Sequence, residues 1–104
     1  MELFHILIKH SEARTPDPSL TKQMALDTCK ALHDDISSNL SEEIFMDKAR
    51  KYSRCSSSKR GGYLGVVVGN DMVKEFEEKA FKLEKGEMVG PVESACGFHI
   101  IYRR

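Results

Sequence analysis

Two adjacent glycines, Gly61 and Gly62, break this chain where its apolar spacing changes from helical to strand-like, and that break limits what it can fold into. Upstream, Ala25, Cys29, Leu32 and Ile36 recur at helical spacing, which predicts an amphipathic helix over about 19–36 with Ser19 or Thr21 as its N-cap. Ser41-Glu-Glu-Ile opens a second helix, since Ser41 can cap it and the glutamates suit the positive end of its dipole. That helix runs to about Tyr52 and is expected to bury Phe45, Ala49 and Tyr52. Downstream, Tyr63 to Val68 reads as a strand ending at Gly69-Asn70. Asp71 is the expected cap of a third helix, with Met72, Phe76, Ala80 and Leu83 on one side and Gly86 as its stop. Two strands follow, about Met88 to Ser94 and Phe98 to Arg103, joined by a Cys96-Gly97 turn at hairpin spacing. At the other end, Leu3 to Lys9 is a β-branched apolar run, and Ser11 to Ser19 is an aperiodic loop with two prolines. The order is strand, two helices, strand, helix, two strands, for which one sheet covered by helices is the natural architecture.

At 104 residues, the chain supports one core and one domain, residues 1–104. Sixteen basic and sixteen acidic side chains give a formal charge of zero, which argues against a general nucleic-acid or polyanion binder. Any phosphate chemistry must therefore be local. No apolar run approaches the roughly 18 residues of a membrane span, so no membrane association is expected. Met1 leads straight into strand-like sequence with no secretory signal, and this predicts a cytoplasmic or nuclear protein. Cys29, Cys55 and Cys96 are odd in number and far apart, and His5, His10, His33 and His99 form no HExxH or HxH arrangement. Neither a disulfide framework, a metal site nor a cofactor is expected.

The stretch Tyr52-Ser-Arg-Cys55-Ser-Ser-Ser-Lys-Arg-Gly-Gly-Tyr-Leu64-Gly65 places one cysteine in a polar, basic loop just before the paired glycines. Arg54, Lys59 and Arg60 flank Cys55, and nearby positive charge favours a thiolate. Three further segments accompany it: His5-Ile-Leu-Ile-Lys9-His10, Met72-x-x-x-Phe76-Glu, and Gly86-Glu-x-x-Gly90-Pro91-Val92-x-x-x-x-Gly97-x-His99-Ile-Ile. In this order and over nearly the whole chain, they resemble the parvulin-type peptidyl-prolyl cis/trans isomerases. The resemblance implies an α+β fold, a four-stranded antiparallel sheet surrounded by helices, ordered β-α-α-(short helix)-β-α-β-β. It implies a cofactor-free enzyme whose partners are proline-containing protein substrates, and a monomer is expected.

Such an enzyme transfers nothing. Rotation about a peptide bond is opposed by a barrier of about 18–20 kcal/mol, while the two X-Pro isomers differ by only about 1 kcal/mol. A catalyst must bind the twisted amide more tightly than either planar form, which calls for a dry proline pocket and a suitable field at the carbonyl. The resemblance places Leu64, Met72 and Phe76 around the substrate proline. Read alone, a Met and Phe at helical spacing are ordinary core. It places Cys55 beside the isomerising carbonyl, where relatives carry Cys or Asp, and this favours an electrostatic over a covalent role. It sets His5 and His99 side by side at the sheet centre, hydrogen-bonded to each other and joining Cys55 in one polar network. Either histidine serves equally well as a structural member of the sheet. Ser94 and Cys96 match supporting positions near this network, where relatives usually carry Thr and Ser.

Specificity is where the sequence departs from the pattern. Relatives directed at phosphoserine-proline or phosphothreonine-proline carry a lysine at the end of the first strand and two consecutive arginines in the following loop. Lys9 and Arg14 match the lysine and the first arginine, and Thr15 replaces the second. Asp17 adds a charge that repels a dianion. The wording Lys9-His10-Ser11-x-x-Arg14-x-Pro16 nevertheless lies closer to the phosphate-directed, Pin-type branch, without a WW domain, so a preference for acidic or phosphorylated residues before proline is expected. Tyr63 replaces an aspartate usual after the paired glycines, with a possible effect on the Cys55 loop, and Lys48 stands where a helix leucine is common. The alternative function is a non-catalytic parvulin-fold module that binds proline-containing, phosphorylated or unfolded segments. A weaker third reading makes Cys55 a redox sensor with Cys96 as its resolving partner.

Overall fold

The first strand, Glu2–Ile8 (β1), explains the whole architecture by its alternation. Phe4, Ile6 and Ile8 enter one apolar cluster and Leu3 enters another, as required of a strand covered on both faces. The computed structural model describes residues 1–69 and 71–104. In it, Tyr63–Val66 (β2), Met88–Ser94 (β3) and Gly97–Arg103 (β4) join β1 in a four-stranded sheet of order β2-β1-β4-β3, with every neighbouring pair antiparallel. Lys22–Ser37 (α1) and Glu42–Tyr52 (α2) cover one face through Ala25, Cys29, Leu32, Ile36, Phe45 and Ala49. Lys74–Ala80 (α3) covers part of the other face, where Phe76 and Ala80 meet Leu3, Val92 and Ile101. A short 3-10 helix, Ser56–Arg60, precedes β2. This is the α+β architecture and element order that the resemblance implies.

Local chemistry sets the helix starts. Thr21 Oγ1 accepts a hydrogen bond from the Met24 amide at 3.1 Å, so α1 begins after Thr21. Ser19 instead donates its amide and hydroxyl to Asp17 Oδ1. Ser41 Oγ accepts from the Ile44 amide at 3.1 Å, with Glu42 and Glu43 in the first turn of α2 and Arg50 and Lys51 in its last.

Four expectations need correction. Tyr52 is 39% exposed, because it ends α2 as the chain turns back along β1, where the Arg54 amide donates to the Leu7 carbonyl. The third helix is only seven residues long and starts after Val73. Asp71 does not cap it; its carboxylate accepts from the Val68 amide at 3.1 Å and closes the preceding turn. Met72 therefore lies ahead of α3, its amide held by the Glu77 carboxylate at 3.0 Å, and shares no helix face with Phe76. Strand β2 ends at Val66, short of the expected Gly69-Asn70, of which Asn70 lies outside the described residues. Finally, Ser94 pairs with Gly97, so Ala95 and Cys96 form the hairpin turn and Gly97 begins β4. Its φ of +136° and close approach to the Ile8 carbonyl leave no room for a Cβ. Among the described residues, no helix is long and apolar enough to cross a membrane.

Candidate active site

The alternation that sends Phe4 and Ile6 toward α1 and α2 sends His5 to the opposite face, and the same alternation in β4 turns His99 that way. Both histidines are buried, each 3% exposed. Their Nδ1 atoms lie 3.2 Å apart, and the rings stack at 5.4 Å between centroids. His99 Nε2 lies 2.7 Å from Ser94 Oγ, which also accepts a hydrogen bond from the Cys96 amide at 3.1 Å. Burial lowers the pKa of His5 to about 4. Burial, with the charge of His5 as a lesser cause, lowers that of His99 to about 3. Both rings are neutral at pH 7, so one of the facing Nδ1 atoms donates and the other accepts.

Two proton arrangements satisfy this chain of contacts. In one, His5 Nδ1–H donates to His99, His99 Nε2–H donates to Ser94, and the Ser94 hydroxyl proton is left to point elsewhere. In the other, every proton is reversed, and His5 holds an N–H on Nε2. His5 Nε2 is buried without a hydrogen-bond partner.

Phe76, fully buried, closes the histidine pair from the α3 side. Its ring meets His5 at 5.7 Å and His99 at 5.4 Å, nearly perpendicular to both. Leu64 and Met72 are partly buried against the same cluster. Of the three residues expected to form a proline pocket, Phe76 meets the imidazoles directly, while Leu64 and Met72 pack against the apolar cluster that contains Phe76, Met72 arriving from a turn and not from the helix.

The Cys55 loop is fastened to β1 from below. Ser53 Oγ accepts from the Leu7 amide at 3.0 Å and from the Cys55 amide at 3.4 Å, and the Arg54 amide donates to the Leu7 carbonyl at 2.8 Å. At the far end of the loop the His5 amide donates to the Gly62 carbonyl at 2.9 Å. Gly62 has φ +83° and presses its α-carbon against the His5 carbonyl, a contact that excludes any side chain. Cys55 and Cys96, both free thiols, line one cavity of about 250 Å³ together with Leu7, Lys9, Thr15 and Arg54. The expected hydrogen-bonded network reaches His5, His99, Ser94 and the Cys96 amide. Among the described residues it does not extend to the Cys55 thiol, which joins the site through the cavity wall. Cys29 is buried in the cluster on the other face of the sheet, where its thiol donates to the His99 carbonyl at 4.0 Å and burial pushes its pKa up to about 12.

The loop after β1 folds around His10. That ring is buried against Phe98, its Nδ1 accepts from the Glu12 amide at 3.1 Å, and its carbonyl accepts from the Ala13 and Asp17 amides. Arg14 is exposed, and its amide donates to the Ala95 carbonyl at 2.7 Å, so the loop docks on the β3–β4 turn. Arg54 Nη2 lies 3.3 Å from Asp17 Oδ2. Lys9 lines the Cys55 cavity, whereas Arg14 is not among the residues lining it. Sequence reasoning missed Arg54 as a wall of that cavity and His10 as the organiser of the loop. Arg54 had a visible signal, a cation next to Cys55, but its direction depends on a backbone pairing with Leu7 far away in sequence. The Tyr63 hydroxyl donates to Glu2 Oε1 at 3.0 Å, while Lys48 pairs with Asp35 at 2.9 Å. Among the described residues, no group of three His, Cys, Asp or Glu side chains could hold a metal ion.

Residues 5–104 match the rotamase family, the PPIC-type PPIase domain. The chain belongs to the PPIC-type peptidyl-prolyl isomerases. It is 45% identical to the peptidyl-prolyl cis-trans isomerase Pin1 of Malus domestica over 95% of this chain and 88% of that protein. It is 39% identical to peptidyl-prolyl cis-trans isomerase ESS1 of Saccharomyces cerevisiae, of which it spans 62%. Among solved structures, the PPIase domain of TbPar42 superposes with a TM-score of 0.89 at 31% identity, over 98% of this chain and 97% of that one. Peptidyl-prolyl isomerase ESS1 from Candida albicans gives 0.84 at 32% identity, over 98% of this chain and 60% of that one.

Proposed function

We propose that this peptidyl-prolyl isomerase acts on X-Pro bonds of protein substrates in which X is acidic or a phosphorylated Ser or Thr. Leu64, Met72 and Phe76 receive the proline ring in a dry setting. Cys55 stands beside the carbonyl of the preceding residue, and the neutral pair His5 and His99, with Ser94 and Cys96, supplies fixed dipoles beneath it. No proton has to move. The twisted amide loses its resonance and gathers electron density differently from either planar form, and preorganised dipoles in a water-poor site stabilise it selectively.

The observation that carries the preference is that Lys9 lines the same 250 Å³ cavity as Cys55 and Cys96. A cation at that wall lies next to the residue before proline, and Arg14 stands on the adjoining loop. The test is the isomerisation rate of the wild-type protein on matched peptides with phosphoserine, Glu or Ala before proline. The expected result is a kcat/KM at least about tenfold higher for the anionic peptides, the worth of one charge-assisted hydrogen bond. Equal rates on all three would leave a general isomerase with no charge preference.

A further inference from the structure

We infer that Arg54, together with Lys9, supplies the guanidinium that receives the anionic group before proline, and that Asp17 is the counter-ion it gives up. This rests on the charge preference proposed above and assigns its second cation. Thr15 stands where an arginine was expected and lines the Cys55 cavity without a charge, while Arg14 does not line it. Arg54 does, and with Lys9 it also lines an adjoining cavity of about 350 Å³, so these two cations form a shared wall between the two spaces.

The base of Arg54 is held in place. Its amide donates to Leu7 on the central strand, and Ser53 and Cys55 on either side are tied together by the Ser53 hydroxyl. Its side chain is 60% exposed, with Nη2 lying 3.3 Å from Asp17 Oδ2. A guanidinium has five N–H donors in a planar fork, so one contact to a carboxylate leaves enough for a bidentate grip on a phosphate. Asp17 is well placed to hold such a side chain ready. Its Oδ1 accepts both the amide and the hydroxyl of Ser19, its own amide donates to the His10 carbonyl, and only Oδ2 is directed at Arg54. Those Ser19 bonds, and to a lesser degree Arg54 and Lys9, keep the Asp17 carboxyl below the usual carboxylate range. It therefore remains an anion that orients Arg54 and competes with an incoming one.

The experiment measures the ratio of kcat/KM for phosphoserine-proline over alanine-proline peptides, with a glutamate-proline peptide alongside, in wild type, Arg54→Ala, Arg54→Lys, Arg14→Ala and Asp17→Asn. Thermal unfolding of each variant confirms that it folds. The expected result is a roughly tenfold fall in the ratio for Arg54→Ala, a smaller fall for Arg54→Lys, and less than about a threefold change for Arg14→Ala. Asp17→Asn is expected to raise the ratio by removing the competitor. A fall confined to phosphoserine assigns the site to the dianion, and an equal fall with glutamate assigns it to either anion; both support the role of Arg54. If Arg14→Ala abolishes the ratio and Arg54→Ala leaves it intact, the assignment is overturned while the charge preference stands. If wild type shows no ratio above one, the charge preference fails first and the assignment with it.

Discussion

His5 and His99 meet Nδ1 to Nδ1 at 3.2 Å although they are not direct cross-strand partners, since His5 sits opposite Ile101 and His99 opposite Leu7. They are diagonal neighbours on one face of two central strands, a separation that long or aromatic side chains can bridge. Their shared burial under Phe76 keeps both rings neutral, and that makes the site sensitive to acid.

The sign follows from linkage. Folded pKa values of about 4 and about 3 lie below the usual histidine value of 6.5, so the unfolded chain binds more protons as the pH falls through 6.5. The stabilisation is fully present above that pH and is lost progressively toward pH 4. Lowering the pH from 7 to 5 is expected to cost roughly 2 kcal/mol per histidine, which lowers Tm by about 10 °C or more. Calorimetry across this range checks it, and His5→Asn is expected to flatten the dependence by about half.

Phe76 and Met72 both belong to the apolar side of the site, yet they differ in what their loss should do. Phe76 is fully buried between α3 and the imidazoles, so Phe76→Ala is expected to cost about 3–5 kcal/mol of stability along with activity. Met72 is only partly buried in the turn before α3, and Met72→Ala is expected to cost less than about 2 kcal/mol while reducing kcat/KM on every X-Pro peptide alike. Parallel denaturation and kinetics on the two variants separate a pocket wall from plain core.

Much of this arrangement can be read from residue order, and the exceptions have physical reasons. Strict alternation in β1 and β4 forces His5 and His99 away from Phe4, Ile6, Phe98 and Ile100, so their shared face follows from spacing once the strands are placed side by side. Ser41 and Thr21 behave as caps because a cap is a local bond, complete within three residues. Asp71 failed as one because its carboxylate closes a turn to Val68 instead, and a sequence shows only that it could serve either way. In the sequence Arg54 is visible only as a cation next to Cys55. Its place on the cavity wall depends on Leu7 and Asp17, which no local pattern links to it. Tyr52 fits an apolar helical position, yet it lies where α2 ends and the helix leaves the sheet.

The thiol of Cys55 faces a cavity and, among the described residues, makes no hydrogen bond to either histidine, which suits a group that shapes the field at a carbonyl. Cys55→Asp is accordingly expected to retain kcat/KM within about tenfold, whereas Cys55→Ala loses about 100-fold, the scale of removing one oriented electrostatic group. Equal and near-complete loss in both variants would indicate that sulfur chemistry is required.

A peptidyl-prolyl isomerase speeds rotation and does not merely hold proline segments. Two-dimensional exchange NMR on a glutamate-proline peptide, with protein at a small fraction of the peptide concentration, tests it most directly. Uncatalysed exchange takes tens of seconds or longer, so none is visible on the experimental timescale without an enzyme. Cross-peaks between cis and trans resonances, lost in Cys55→Ala, are the predicted result. Peptide shifts that report binding at higher protein concentration, with no exchange cross-peaks at any ratio, would show a module that binds proline segments without turning them over.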